Sequence, residues 1–234
     1  RTVRVTHQIA TDTSMTPLAH LTCVGHSRDE LRRVIGSFAD AGIRNILALR
    51  GDPLTGPGTP WVPTESGLTY ATELVELITS LGDFCVGVAA FPLGHREASS
   101  LDHDAHVLRL KQDAGAEFAI TELFFRPEDY FAMLERADAA GVDMPIIPGI
   151  MPITNLRQIQ RMAELSGREV PPEVVARVAR HGDDAAAVRE EGVRIATELC
   201  DTLLAQGAPG LHFYTLNRSK ATREIYANLR APAA

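Results

Sequence analysis

The sequence of 234 residues has few cysteines, a single tryptophan and no long apolar run. Its three cysteines, Cys23, Cys85 and Cys200, are far apart, which excludes a disulfide framework and CxxC sites and predicts buried thiols in a reducing compartment. No apolar stretch approaches the roughly 20 residues that cross a bilayer, and the first ten residues lack the apolar region of a secretory signal. We therefore predict a cytoplasmic protein with no membrane partner.

Basic residues are fewer than acidic ones, and this imbalance argues against some classes of binding partner. Lys and Arg number 23 against 30 for Asp and Glu, so the formal net charge is −7. A surface of that sign repels a phosphate backbone, which argues against nucleic acid and favours small-molecule ligands. With 45% hydrophobic and 23% charged residues the chain has the balance of a globular protein, and its length predicts a single domain over residues 1–234.

Short apolar segments and amphipathic stretches alternate along the chain. One helical pattern begins with Ser27 and Glu30 as a capping box and ends at Gly42. Similar patterns, each with a glycine just past the end, predict helices over Thr69–Leu81, Leu101–Ala114, Glu128–Ala140 and Asp184–Ala205. Buried strands are predicted over Ala19–Val24, Asn45–Leu49, Phe84–Phe91, Phe118–Phe125, Met144–Ile150 and Leu211–Leu216.

This alternation predicts an α/β fold. Near-continuous apolar strands separated by helices form parallel βαβ units, either in an open doubly wound sheet or in a (β/α)8 TIM barrel. Polar residues cluster after the strands, and the GxGxxG turn of a dinucleotide-binding open sheet is absent, so the barrel is favoured. Because only six strands are found and a helical pattern over Arg1–Ala10 has no strand before it, we expect that the first two barrel strands are missing from the sequence.

Several polar residues in this pattern are suited to binding or catalysis. Arg50, Gly51 and Asp52 directly follow a strand and offer a cation, a flexible backbone and a carboxylate. Asp104 and Lys111 lie seven residues apart, two turns along one helix, where a ligand with hydroxyls and phosphates could bridge them. The alternative without a function is that Arg50 and Asp52 form a solvated ion pair and that Asp104 and Lys111 are surface charges.

A second group of candidates lies later in the chain. Glu122 is a carboxylate inside an otherwise apolar strand, where burial is costly unless the charge is paired or protonated, so we expect it to face the barrel mouth. Gln158 is either a ligand contact or an exposed helical residue. The guanidinium of Arg218 suits a carboxylate-bearing substrate. His103 and His106, with His95 nearby, have spacing compatible with a metal site, but HxxH alone is common.

At these residues the sequence resembles the 5,10-methylenetetrahydrofolate reductase family. The matching motifs occur in family order and span nearly the whole chain. They are AHLTC at Ala19–Cys23, LRGD at Leu49–Asp52, AAFPxxHxEA at Ala89–Ala98, KxDAGA at Lys111–Ala116, IPGIMPIxN at Ile147–Asn155 and HFYTLNR at His212–Arg218.

The resemblance implies a flavoprotein oxidoreductase of folate one-carbon metabolism and methionine biosynthesis, built on a (β/α)8 barrel. It implies FAD as cofactor and NADH or NADPH as co-substrate, with a ping-pong reaction that reduces 5,10-methylenetetrahydrofolate to 5-methyltetrahydrofolate in a homo-oligomer. Asp52 and Glu122 take the catalytic roles. The implied FAD contacts are His20, Arg50, Gly51, Asp52, Tyr70, Ala71, Phe91, His95, Ala98, Asp104 and Lys111, and the implied folate contacts are Asp52, Glu122, Gln158 and Arg218.

The sequence also departs from the family pattern. The family's usual general acid, a glutamate in an early FEFFPP-like strand, has no counterpart here. Glu122 replaces a common glutamine, Phe91 a common tyrosine, and Met162 a common aromatic residue. Two alternatives therefore stay open beside the reductase: a catalytically silent flavin-binding relative, and a metal-dependent barrel hydrolase that uses His95, His103 and His106.

Overall fold

A computed structural model describes residues 2–56, 59–165 and 167–230. Arg1 of the predicted first helix and residues 57 and 58 of the Gly/Pro-rich loop after the second strand lie outside the described residues. The described elements, in chain order, are α1 (Thr2–Asp12), β1 (Leu18–Thr22), α2 (Arg28–Asp40), β2 (Asn45–Leu49), α3 (Ala71–Leu81), β3 (Cys85–Ala90), α4 (Leu101–Asp113), β4 (Phe118–Thr121), α5 (Pro127–Ala139), β5 (Ile146–Ile147), β6 (Gly149–Ile150), α6 (Leu156–Leu165), α7 (Pro172–Ala179), α8 (Ala185–Ala205), β7 (His212–Phe213) and α9 (Lys220–Arg230).

The predicted α/β alternation is confirmed. Strands β1, β2 and β3 pair in parallel, with Leu18 opposite Asn45 and Asn45 opposite Cys85, and strands β1 to β5 are neighbours in chain order. A further parallel pair joins β6 to β7, with Gly149 opposite His212. Because parallel neighbours need a crossover connection, the helices between the strands follow from the same topology.

Helix α2 shows how local sequence sets an element. The Ser27 side chain accepts a hydrogen bond from the backbone N–H of Glu30, and the Glu30 carboxylate accepts one from the backbone N–H of Ser27 at 2.8 Å, which is the predicted capping box. Its inner face buries Leu31, Ile35 and Phe38. The helix ends before Gly42, whose φ of 73° lies in the left-handed region that suits a terminating glycine.

Some predicted boundaries are wrong. The segment predicted as one strand over Met144–Ile150 forms two short strands, because Pro148 between them has no N–H to donate to a ladder. The strand that begins at Phe118 ends at Thr121, so Glu122 follows the strand rather than lying inside it, and it is half-buried. Gly82 has a φ of 164° and is therefore extended, unlike the left-handed cap expected after α3.

The chain divides into two compact units. The first comprises residues 1–90, 102–119 and 137–145, and its core includes Ile46, Val86 and Val88 from the parallel strands. The second comprises residues 91–101, 120–136 and 146–234, and its core packs residues of α6, α7 and α8, including Ile159 and Val178. The single domain predicted for residues 1–234 stays a prediction.

Two expectations from composition can be compared with the described residues. Cys23 and Cys200 are buried as predicted, but Cys85 is only partly buried, and burial raises the pKa of all three thiols. Within the described part of the chain, no helix combines the length and the apolar character that a membrane crossing requires.

Candidate active site

The first unit places polar residues after its parallel strands. Arg50, Gly51 and Asp52 directly follow β2, and Asp52 is exposed. The φ of Gly51 is 86°, and a Cβ at this position would lie 2.5 Å from Cγ1 of Val24. Only glycine fits this backbone without displacing a neighbour, so the chain can turn closely as it leaves β2. His20 lies in β1 and is exposed, whereas its neighbours in the strand are buried.

The single tryptophan covers the guanidinium that follows β2. The Cζ of Arg50 lies 5.3 Å from the centroid of the Trp61 ring, which is within cation–π range. The indole Nε1 of Trp61 is buried and has no hydrogen-bond partner within the described residues. Trp61 was not predicted as a site residue, although its position in the loop that follows β2 could have indicated that it lies near Arg50.

Lys111 on α4 is a buried cation. Its side chain is among the few buried charged groups, and its Nζ donates a hydrogen bond of 2.8 Å to the carbonyl oxygen of Ala89 in β3. Burial is the main reason that the pKa of Lys111 is lowered to about 8; within that net shift the nearby Asp104 raises the pKa and Arg50, to a smaller extent, lowers it. The structure therefore brings Arg50, Asp104 and Lys111 into one electrostatic environment in the first unit.

The start of α3 carries two further predicted residues, Tyr70 and Ala71. The Glu73 carboxylate accepts hydrogen bonds from the backbone N–H groups of Thr69 and Tyr70 at 2.7 and 2.8 Å, and this fixes the first turn. The Tyr70 ring itself is 61% exposed, so it is available to contact a ligand, and Ala71 is half-buried.

In the second unit, a tight turn after β3 presents Phe91, His95 and Ala98. The Phe91 and His95 rings meet edge to face, with centroids 4.9 Å apart. The backbone N–H of Glu97 donates to Nδ1 of His95 at 3.2 Å. Because a backbone N–H can only donate, Nδ1 is the acceptor nitrogen of the neutral imidazole, and Nε2 carries the ring N–H.

Glu122 belongs to a second cluster in this unit, together with Tyr214. The Tyr214 hydroxyl donates a hydrogen bond of 2.8 Å to the carbonyl of Thr121. Burial, and to a lesser extent the charge of Glu122, raise the pKa of Tyr214 to about 12. The sequence reasoning missed Tyr214, although it lies inside the HFYTLNR motif.

Gln158 and Arg218 line one cavity of the second unit, which Tyr214 also lines. Gln158 lies in the first turn of α6, where its backbone N–H donates to the side chain of Asn155 at 3.0 Å. Before Arg218 the chain makes a turn in which Leu216 and Asn217 have φ of 47° and 62°. Consecutive non-glycine residues in the left-handed region are strained, and such strain is common where a turn must aim a functional side chain.

The residues of the metal-site alternative are not gathered in this way. His103 and His106 are exposed on α4. Among residues 2–56, 59–165 and 167–230 there is no group of three His, Cys, Asp or Glu side chains placed to hold a metal ion.

Comparison with known proteins decides the family. The model of the family described as methylenetetrahydrofolate reductase matches residues 1–230. The chain belongs to the methylenetetrahydrofolate reductase family. The 5,10-methylenetetrahydrofolate reductase of Escherichia coli K12 is 37% identical over 225 residues, which cover 96% of this chain and 74% of that protein. Methylenetetrahydrofolate reductase 1 of Schizosaccharomyces pombe is 38% identical over 227 residues, which cover 96% of this chain but only 37% of the yeast protein.

A solved structure supports the fold of this family member. An uncharacterised protein from Clostridium thermocellum that binds two copies of 5-methyl-5,6,7,8-tetrahydrofolic acid superposes with a TM-score of 0.60 at 14% sequence identity, over 92% of this chain and 72% of that one. The fold is of the TIM-barrel type, which the polar residues after the strands and the absence of a GxGxxG turn had favoured over an open sheet. The absence of the first two barrel strands stays a prediction.

Proposed function

We propose that the protein catalyses the reduction of 5,10-methylenetetrahydrofolate to 5-methyltetrahydrofolate, with FAD as cofactor and NADH or NADPH as hydride donor. Membership of the reductase family supports this reaction class. The observation that carries the proposal beyond the family is the buried amine of Lys111, which donates to the Ala89 carbonyl and is within electrostatic reach of Asp104 and Arg50, because a buried cation favours an anionic ligand.

The residues of the first unit fit the diphosphate of a flavin dinucleotide. Lys111 offers a buried ammonium and Arg50 a planar guanidinium held against Trp61, while Gly51 provides the positive-φ turn that packs against Val24 directly after Arg50. Asp104 adds a carboxylate that can accept from ligand hydroxyls. When bound, a flavin accepts a hydride from one substrate and passes it to a second, which is the chemistry this reaction requires.

We assign the flavin contacts and the folate contacts as the resemblance implies. The proposed FAD contacts are His20, Arg50, Gly51, Asp52, Tyr70, Ala71, Phe91, His95, Ala98, Asp104 and Lys111. The proposed folate contacts are Asp52, Glu122, Gln158 and Arg218. The cavity shared by Gln158 and Arg218 supports the latter two, because an amide and a guanidinium together suit a polar ring and a carboxylate.

The two carboxylates have different proposed roles. Opening the five-membered ring of methylenetetrahydrofolate creates a cationic iminium, and a carboxylate at Asp52 lowers the energy of that cation. Glu122, whose charge already acts on Tyr214, accepts hydrogen bonds from the N–H groups of the pterin ring. Arg218 binds the glutamate carboxylates of the folate tail through its planar guanidinium.

Assembly and location belong to the same proposal. We propose a cytoplasmic homo-oligomer that takes small-molecule substrates and needs no nucleic acid, membrane or metal partner. The acidic balance of the sequence, with a net charge of −7, supports the exclusion of nucleic acid.

Visible absorption of the protein reconstituted with FAD tests the proposed reaction. We expect a flavin band that bleaches anaerobically with NADH or NADPH and returns on addition of methylenetetrahydrofolate, with one 5-methyltetrahydrofolate formed per nucleotide oxidised. A band that neither nucleotide bleaches would instead support the silent flavin-binding relative. Failure to take up FAD at all would overturn the proposal.

A further inference from the structure

The turn between β3 and α4 is held by two arginines of the second unit. The guanidinium of Arg168 donates to the carbonyl oxygens of Leu93 and Gly94 through Nη2, and Nη2 of Arg136 on α5 donates to the carbonyl of Pro92 at 3.1 Å. Three consecutive carbonyls are therefore bound by side chains that are distant in sequence. Pro92 and Gly94 are buried, so their carbonyls have little access to solvent donors other than these guanidinium groups.

Arg168 is itself fixed by the end of α6. The backbone N–H of Arg168 donates to the carbonyl of Ala163 at 2.8 Å, and the N–H of Gly167 donates to Glu164 at 2.9 Å, which is the hydrogen-bond pattern of a Schellman motif. The φ of Gly167 is 72°, as that motif requires. The base of the Arg168 side chain therefore does not move independently of α6.

A reciprocal contact runs from the turn to the same helix end. Nη1 of Arg96 lies 3.5 Å from the carbonyl oxygen of Leu165, the last residue of α6. Arg168, just after α6, thus donates to the turn, and Arg96 in the turn contacts the last residue of α6. Such a pair of contacts restrains both translation and rotation of the turn relative to α6, which a single contact does not do.

The restrained turn carries His95. Gly94, whose carbonyl Arg168 binds, directly precedes His95, and the N–H of Ala98 donates to the His95 carbonyl at 2.9 Å. The Glu97 N–H donates to the His95 ring, which leaves Nε2–H as the donor. Both the direction of the imidazole and its tautomer therefore depend on the backbone geometry of this turn.

We propose that Arg168 is a positioning residue that acts through His95: it fixes the 91–98 turn and with it the imidazole that contacts the flavin in the proposed function. The proposal rests on the proposed function, in which His95 contacts FAD. Arg136 assists from the other side of the turn. In this role Arg168 acts through the turn rather than by direct contact with the flavin. Its charge-assisted hydrogen bonds hold the His95 imidazole in place before FAD binds, so binding does not have to order that side chain and the FAD affinity is higher.

A double-mutant cycle on FAD affinity separates this role from a merely structural one. The FAD dissociation constant is measured by fluorescence titration for wild type, R168M, H95N and the double variant. We expect R168M and H95N each to weaken FAD binding about tenfold, and R168M to add less than about twofold in the H95N background, because residues that act through one another are not additive. R168K keeps one cationic donor and should recover part of the affinity.

R161M, which removes an exposed arginine of α6 paired with Glu164, is the control and should bind FAD like wild type.

Each failure of the experiment has a distinct meaning. Wild-type FAD affinity in H95N would remove His95 from the proposed flavin site. The role of Arg168 would be overturned if H95N binds FAD weakly while R168M and R168K bind it like wild type. It would also be overturned if the effects of R168M and H95N on the dissociation constant multiply in the double variant. Either result leaves the proposed function intact. The imidazole ¹⁵N shifts of His95 give a readout that does not depend on FAD: a change of tautomer is expected in folded R168M and a smaller change in R168K, and an unchanged spectrum in R168M would contradict the proposal.

Discussion

At the residue scale, Lys111 shows how burial prepares a cation for an anionic ligand. The ammonium group is 8% exposed, and its hydrogen bond to the Ala89 carbonyl offsets only part of the lost hydration, so its pKa falls to about 8 from the ordinary 10.5. Between these two values the unfolded chain binds more protons than the folded one. Without a bound anion, the contribution of Lys111 to stability therefore increases as the pH rises through this window.

This pKa predicts a pH-dependent affinity for FAD. Only the protonated amine makes a charge-assisted bond to a phosphate, so we expect the FAD dissociation constant to increase above pH 8 by up to about tenfold per pH unit. K111M should bind FAD weakly and lose this pH dependence. K220M, which removes an exposed lysine at the start of α9, is the control. A wild-type pH profile in K111M would place Lys111 outside the flavin site.

Asp52 is expected to affect one half-reaction more than the other. D52N should retain FAD, since an amide still offers an oxygen to the cofactor, and it should slow folate reduction at least about tenfold more than nucleotide oxidation, because only the folate half-reaction creates a cation for the carboxylate to stabilise. Anaerobic stopped-flow measurement of each half-reaction is the test. D83N removes an exposed carboxylate before β3 and should leave both rates unchanged. Equal slowing of the two half-reactions by D52N would contradict the assigned role.

The contact between Glu122 and Tyr214 can be tested without any ligand. The carboxylate charge helps to raise the pKa of Tyr214, so E122Q should lower that pKa, although burial should keep it above its ordinary value of 10. Tyrosine ring ¹³C shifts recorded against pH measure the change. E128Q, on the exposed face of α5, should leave the Tyr214 titration unaltered. If E122Q has no effect, Glu122 does not face the cavity that Tyr214 lines.

At the scale of elements, two helical glycines have opposite environments. A Cβ on Gly192 in α8 would collide with the backbone carbonyl of Ile153, whereas a Cβ on Gly36 in α2 would meet no atom within 4 Å. We expect G192A to destabilise the fold by at least about 2 kcal/mol, and G36A to stabilise it by about 0.5 to 1 kcal/mol through helix propensity. Urea unfolding of the two variants gives both free energies. A stable G192A variant would show that α8 can move away from the 153 backbone.

The helices were more predictable than the short strands for a physical reason. The ends of α2 depend on Ser27, Glu30 and Gly42, all within a few residues of the helix, so a local pattern contains the information. Strand β7, in contrast, is only two residues long and exists through pairing with β6, more than 60 positions earlier in the chain. A pairing partner at that separation leaves no periodicity in the strand itself.

At the scale of the whole molecule, the proposed cofactor should stabilise the native state. FAD at about 100 times its dissociation constant should raise the free energy of unfolding by about 2.7 kcal/mol, because it binds the folded state and not the unfolded chain. For a chain of this size the melting temperature should increase by about 5 to 10 °C. K111M should show a smaller increase at the same FAD concentration, and K220M the full one. An increase of equal size in wild type and K111M would contradict the assignment of Lys111.

The sequence by itself determined the α/β class, the ends of α2 and the family. These follow from local periodicity, from caps within one turn, and from motifs that are contiguous in the chain. It also singled out Lys111 by its seven-residue spacing from Asp104 and Arg218 by its place at the end of the HFYTLNR segment, and it left Gln158 as either a ligand contact or an exposed helical residue.

Only the tertiary structure decided what these side chains contact. The hydrogen bond of Lys111 to Ala89 spans 22 positions, and the contact of Arg168 with Leu93 spans 75. Gln158 and Arg218 line one cavity although 60 positions separate them. Burial, pKa and side-chain direction at these sites arise from packing between distant segments. No local pattern specifies such packing, because many sequences with the same periodicity place different residues opposite one another.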